Sequence, residues 1–197
     1  MPVLAEGMAM NRRQALQLIL TATGVVLLGR RASALDREPG GYYLTGSGVR
    51  VKHVGPFTAK VYAISHFMRD LPAQRSKQAV IAMDTDKAFS WRLLRDLEAK
   101  QIRDALSEAF AKNGYTDRAK IGTFLGAFTK PITEGKNVTI TYATAAKTTT
   151  LAVQGDGTAT VPGFDFMQAT WSIWFGNIDQ PELGDALIRR IPNTPSG

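Results

Sequence analysis

The sequence contains no cysteine and only two histidines, His53 and His66. The first absence removes thiol nucleophiles, thiolate metal ligands, disulfides and a lipid-modified cysteine anchor. The second leaves too few imidazoles for a multi-histidine metal centre, and no metal site is expected. No run of lysine and arginine marks a nucleic-acid footprint, and no basic-aromatic interleaving suggests strand binding. Gly46-Ser47-Gly48 lacks the lysine and the following helix of a phosphate loop, so no nucleotide cofactor is implied, and no cofactor is expected. Repeats and linkers are missing as well. At 197 residues and 44% hydrophobic content, the chain suits one domain with a full core.

The net charge of +7 is unevenly spread. Residues 1–34 hold four arginines and one glutamate, and the remainder carries 20 basic against 16 acidic residues. That amino-terminal segment has the three parts of an export signal. Arg12-Arg13 precedes an apolar stretch from Ala15 to Leu28, and Ala32-Ser33-Ala34 supplies the small residues of a cleavage site. The apolar stretch is short for a membrane span, which needs about 20 residues. Cleavage near Ala34 and a periplasmic destination are expected. The run "NRRQALQ" resembles a twin-arginine signal, and a general secretory signal is the alternative; both lead to the same compartment. The domain is then 35–192, and residues 193–197 form a flexible tail.

Within that domain, 42–53 and 57–68 alternate as two strands around a turn at Gly55-Pro56. A third strand is expected in 77–86, centred on Val80–Met83. A helix follows, with Ser90 as its N-cap and Leu94, Leu97, Ile102, Leu106, Ala109 and Phe110 at helical spacing up to Asn113-Gly114. Residues 117–128 read as a second helix. Strands follow at 136–144 and 148–154, and Gly155-Asp156-Gly157 signals a hairpin. An aromatic-rich helix spans 164–176, and a last short helix starts near Pro181. Strands and helices in this mixed order predict an α+β fold with an antiparallel sheet.

Three stretches carry a family resemblance. "YYLTGSGVRVKHVGPFTAKVYAISHFM", "LSEAFAKNGYTDRAKIGTFLGAF" and "VPGFDFMQATWSIWFGN" resemble, in order and spacing, the chalcone isomerase-like family. The resemblance covers roughly 42–190 and implies an open-faced β-sandwich, a large antiparallel sheet packed on a layer of helices with a ligand cleft between. It implies either isomerase activity on a flavonoid-like or other enone substrate, or non-catalytic binding of a fatty acid. The isomerases' arginine carries over onto Arg50. Their threonine position falls on Tyr62, their tyrosine and asparagine on Glu98 and Ala105, and their late hydroxyl residue on Ile173 or Ser172. Only the arginine matches, so non-catalytic binding of an anionic, apolar small molecule is the leading expectation, with the isomerase as alternative and a ligand-free interaction protein as a third reading. Transient membrane contact is a further expectation.

The candidate ligand residues are Arg50, Tyr62, Ile64 and His66, with Arg50 and Tyr62 as catalytic groups in the isomerase reading. A three-residue loop (Gly55, Pro56, Phe57) places Arg50 opposite Tyr62, with Cβ atoms about 5 Å apart. A two-residue loop slips the register by one and separates them. The residues leave both open, and the resemblance favours the first. Opposed in this way, a guanidinium fork and a phenol form a carboxylate clamp. Ile64 and His66 share the face of Tyr62, and His53 beside the turn is expected to be exposed. Asp84 and Asp86 read as a solvated loop or helix cap. Trp171, Trp174 and Phe175 read as core, or as the lining of an apolar cleft.

Overall fold

The computed structural model describes residues 37–38 and 40–193, so the expected signal segment and residues 194–197 lie outside the described residues, as do the side chains of His53 and Val54. Six strands form one antiparallel sheet in sequence order: β1 (Tyr43–Val54), β2 (Phe57–Met68), β3 (Lys87–Leu93), β4 (Asn137–Ala143), β5 (Thr148–Val153) and β6 (Thr158–Pro162). Five helices are described, α1 (Lys77–Ala82), α2 (Ala99–Lys112), α3 (Arg118–Leu125), α4 (Phe164–Phe175) and α5 (Pro181–Ile188). This is the expected α+β architecture, a sheet with a helical layer on one side.

Period-two alternation makes the sheet one-sided. On β4, Val138, Ile140 and Tyr142 point into the core, while Thr139 and Thr141 lie on the opposite face. The open face carries small and hydroxyl residues, with Ser47 bonded to Ser65 at 2.8 Å and Thr150 to Thr160 at 2.9 Å. Helix α4 is apolar almost all round, with Phe166, Met167, Trp171, Ile173, Trp174 and Phe175 all buried, as expected for a helix sandwiched between the sheet and the other helices.

Two expectations are corrected. The segment expected to be the third strand, Val80–Met83, is instead α1 and its C-cap. A short apolar run fits either period, and its end partners decide. Ser76 caps the start, accepting from the Ala79 amide at 3.3 Å. At the other end, Lys87 Nζ donates to the Val80 carbonyl at 2.6 Å and the Met83 carbonyl at 2.8 Å. Ser90 is consequently no N-cap. It sits mid-way along β3, where Phe89, Trp91 and Leu93 turn inward. The long helix begins only at Ala99, behind a capping box shared by Glu98 and Gln101.

The β1–β2 hairpin closes through a two-residue loop, because Val54 pairs with Phe57. Gly55 has φ +57, and the proline after it has a fixed negative φ, the combination of a type II′ turn. That loop alone would separate Arg50 from Tyr62. A β-bulge restores them: Val51 pairs with Lys60 and Arg50 with Tyr62, leaving Val61 as the extra residue. At the other end of β1, α5 rests directly on Gly46 and Gly48.

Candidate functional site

Arg50 leaves β1 on the helix side of the sheet and meets the turn between α4 and α5. Its guanidinium donates to Asp179 Oδ1 at 2.6 Å and to Gln180 Oε1 at 3.2 Å. Gln180 is buried and laid along the free edge of β1, accepting from the Val51 amide at 3.0 Å and donating to the Val49 carbonyl at 3.0 Å. Its side-chain amide thereby stands in for a neighbouring strand. The other end of the turn is held by Asn113 at the end of α2, whose Oδ1 accepts from the Asn177 amide at 2.7 Å. Residues 176–180 thus form a strap over Arg50, pinned at both ends. The Arg50 side chain is 19% exposed and Asp179 58%, so this ion pair lies at the solvent boundary, where such pairs contribute little to stability.

Behind Arg50 lies an aromatic layer. Tyr62 stacks on Trp91 with centroids 4.8 Å apart and planes within 10°. Its hydroxyl accepts from Trp174 Nε1 at 3.1 Å, which leaves its own proton free to donate. Burial raises the Tyr62 pKa, opposed by the Trp174 hydrogen bond and the charge of Arg50, so the phenol stays protonated. Trp91 Nε1 is buried in the same layer and has no acceptor among the described residues. An orphaned buried donor costs about 1–3 kcal/mol and is rare in a native core.

Ile64 and His66 continue inward from Tyr62 on β2, at 1% and 0% exposure. Trp171 Nε1 can only donate, and it lies 2.9 Å from His66 Nε2, so that nitrogen is the acceptor and Nδ1 carries the proton. The Nδ1 proton goes to Thr45 Oγ1 at 2.6 Å, and that hydroxyl passes its own to the Leu187 carbonyl at 2.8 Å. Burial, then the nearby charge of Lys87, holds the His66 pKa well below its ordinary value. His66 is a neutral structural hub tying β1, β2, α4 and α5 together. Asp84 and Asp86 also bind within the protein: Asp84 takes the Tyr142 hydroxyl at 2.8 Å and pairs with Lys147, while Asp86 takes the Thr144 amide at 2.8 Å and Arg69 at 3.2 Å.

Residues 36–186 match the model of the family described as chalcone isomerase-like. The chain belongs to the chalcone isomerase-like family. No curated protein matches it. Among solved structures, a fatty-acid binding protein of Arabidopsis thaliana matches with 15% identity and a TM-score of 0.61, over 75% of this chain and 87% of that one. At that identity the likeness speaks for the fold.

In this chalcone isomerase-like chain, the helical positions that the resemblance singles out make no hydrogen bond to Arg50 or Tyr62 among the described residues. Glu98 is the exposed cap of α2 and Ala105 is exposed on the same helix. Ser172 donates to the Gln168 carbonyl at 2.8 Å, and Ile173 is apolar core. Two open clefts lie elsewhere, one of about 740 Å³ between α2 and α3 and one of about 500 Å³ along α5; Arg50 and Tyr62 line neither.

Sequence reasoning missed the strap, since 129 residues separate Asp179 from Arg50. It also missed Lys87, which is fully buried beneath the Trp171 ring, with Nζ 5.2 Å from its centroid. Burial pulls the Lys87 pKa down to about 7, against the opposing charge of Asp84. The unfolded chain, with its lysine near 10.5, binds more protons across the interval from about 7 to 10.5, so stability rises with pH there. The cost of burying the charge is fully present below about 7. Lys87→Met keeps the length and removes the titration. Urea denaturation should show wild type gaining about 2 kcal/mol relative to the variant between roughly pH 7 and 9. Parallel stability profiles would contradict this.

Proposed function

We propose that this protein is an exported, non-catalytic carrier of a fatty acid or similar anionic, apolar small molecule, whose carboxylate sits on Arg50 and Tyr62. One observation carries the reading: Arg50, set opposite Tyr62 by the bulge, already holds a carboxylate, that of Asp179, at the border between solvent and an aromatic layer. A ligand carboxylate replacing Asp179 would gain the guanidinium fork and the spare Tyr62 proton. Its apolar body would enter over Tyr62, Trp91 and Trp174 once the strap lifts, next to the unpaired Trp91 donor. The matched plant protein is a fatty-acid binding protein by name, which supports the same class of ligand. Export to the periplasm rests on residues 1–34 and their Ala32-Ser33-Ala34 site.

Mass spectrometry of an organic extract from the protein purified out of its exported fraction tests both parts. Fatty acids or related carboxylates should co-purify with the wild type and be depleted from Arg50→Ala, and the chain should begin near Leu35. Equal yields of carboxylate from both proteins would overturn the ligand assignment. An uncleaved amino terminus would overturn export.

A further inference from the structure

The β1–β2 hairpin is longer than the sheet needs. β3 pairs with β2 only over Tyr62–Met68, so the stretch from Val51 to Lys60 continues as a two-stranded ribbon. At its tip Phe57 is 75% exposed. Among the described residues, the two large apolar side chains that are exposed, Phe57 and Val49, both belong to this hairpin. Single exposed apolar residues are ordinary on protein surfaces. The charge pattern around this one is not. No acidic residue occurs between Glu38 and Asp70, while Lys52 and Lys60 are exposed and have no carboxylate partner among the described residues. Directly paired residues share a face, as do residues two apart on a strand, so Lys52, Ala59 and Phe57 lie on the helix-side face that also carries Arg50. Lys60, opposite Val51, lies on the other face.

We infer that this ribbon is a membrane-docking element: Phe57 enters the headgroup region of an anionic lipid bilayer, and Lys52 and Lys60 flank it against the lipid phosphates. An aromatic wedge with lysines on both sides matches the bilayer boundary, apolar below and anionic above. The two-residue Gly55-Pro56 turn sets Phe57 at the end of the ribbon. Among the described residues no helix is long and apolar enough to cross a membrane. The face that docks runs back along β1 to Arg50. Docking rests on the hairpin alone, and delivery of a lipid-derived carboxylate to Arg50 rests in addition on the function proposed above.

The absence of cysteine gives a direct test. Phe57→Cys and Ser107→Cys, the latter on exposed α2, are each labelled with an environment-sensitive fluorophore and mixed with phosphatidylglycerol or phosphatidylcholine vesicles. The label at 57 should shift to the blue with phosphatidylglycerol alone, and the label at 107 should not respond. In vesicle co-sedimentation, the unlabelled wild type should bind phosphatidylglycerol in a salt-sensitive way. Phe57→Ser should weaken binding about fivefold or more, and joint Lys52→Glu and Lys60→Glu at least about tenfold, since each lysine near an anionic surface contributes about fivefold. Equal response at both labels, or sedimentation unchanged in the variants, would overturn the inference. So would a label at 57 that ignores vesicles but responds to protein concentration, which would assign the tip to a second copy of the chain. Fatty-acid affinity of Phe57→Ser in lipid-free buffer should equal wild type, and that measurement fails only if the ligand site itself is misplaced.

Discussion

Gly46→Ala should lower the stability of the domain by about 3 kcal/mol or more, which corresponds to a melting temperature roughly 6–12 °C lower. A Cβ at this position would lie 2.1 Å from the Ala186 carbonyl oxygen, 2.6 Å from the Leu187 carbonyl carbon and 2.7 Å from its oxygen. All three atoms are backbone, so no rotamer change relieves the overlap. The helix must move instead, and α5 brings Leu183, Leu187 and Ile188 into the core and ends where Arg190 N donates to the Thr45 carbonyl at 2.8 Å. Displacing α5 also breaks the Thr45 to Leu187 bond beneath His66 and pulls on the strap that begins the helix. Gly48→Ala is the informative comparison. There the nearest atom is Leu183 Cδ1 at 2.6 Å, the end of a flexible side chain, so the loss should be clearly smaller. Thermal unfolding of the two variants measures the contrast, and equal losses would show that α5 is not seated by backbone contact at Gly46.

Much of this arrangement could be read from residues alone, and what could not has definite physical causes. Alternation identified β1, β2, β4 and β5, because one face of each is buried. The run Val80–Met83 failed because its helical state depends on Ser76 at one end and on Lys87 at the other. Nothing local announces that a lysine will be buried; ordinary expectation places it in water. The pairing of Arg50 with Tyr62 was reached through a three-residue loop. The observed route is a two-residue loop compensated by a bulge at Val61, two register changes that cancel. A bulge leaves no signature in "AKVYA" to distinguish it from regular strand. Gly46-Ser47-Gly48 has no phosphate-loop context, yet its meaning is steric, set by a helix some 140 residues further along the chain, as the Thr45 to Leu187 separation of 142 shows. The strap is hidden for the same reason, since Asp179 and Gln180 look like ordinary loop residues until β1 lies beneath them.

The central claim is that Arg50 is a carboxylate receptor kept occupied by Asp179, and opposite variants of that pair should move ligand affinity in opposite directions. A hydrogen bond to a charged group contributes roughly 1.5–3 kcal/mol, and 1.4 kcal/mol is one decade in affinity. Arg50→Ala removes the fork and should weaken binding by at least about tenfold. Arg50→Lys should recover only part, because an ammonium lacks the planar pair of donors. Tyr62→Phe should lose less than Arg50→Ala, since the ring still stacks on Trp91 and one neutral donor goes. Asp179→Asn keeps the shape of the strap and removes the competing charge, so it should tighten binding, by up to about tenfold. The most direct measurement is a titration of wild type, Arg50→Ala and Asp179→Asn with a fluorescent fatty acid, after matched melting curves show that all three are folded. The account predicts the order Asp179→Asn tightest, wild type between, and Arg50→Ala weakest, with more than about tenfold between the extremes. Three equal affinities, or weaker binding by Asp179→Asn than by wild type, would contradict it.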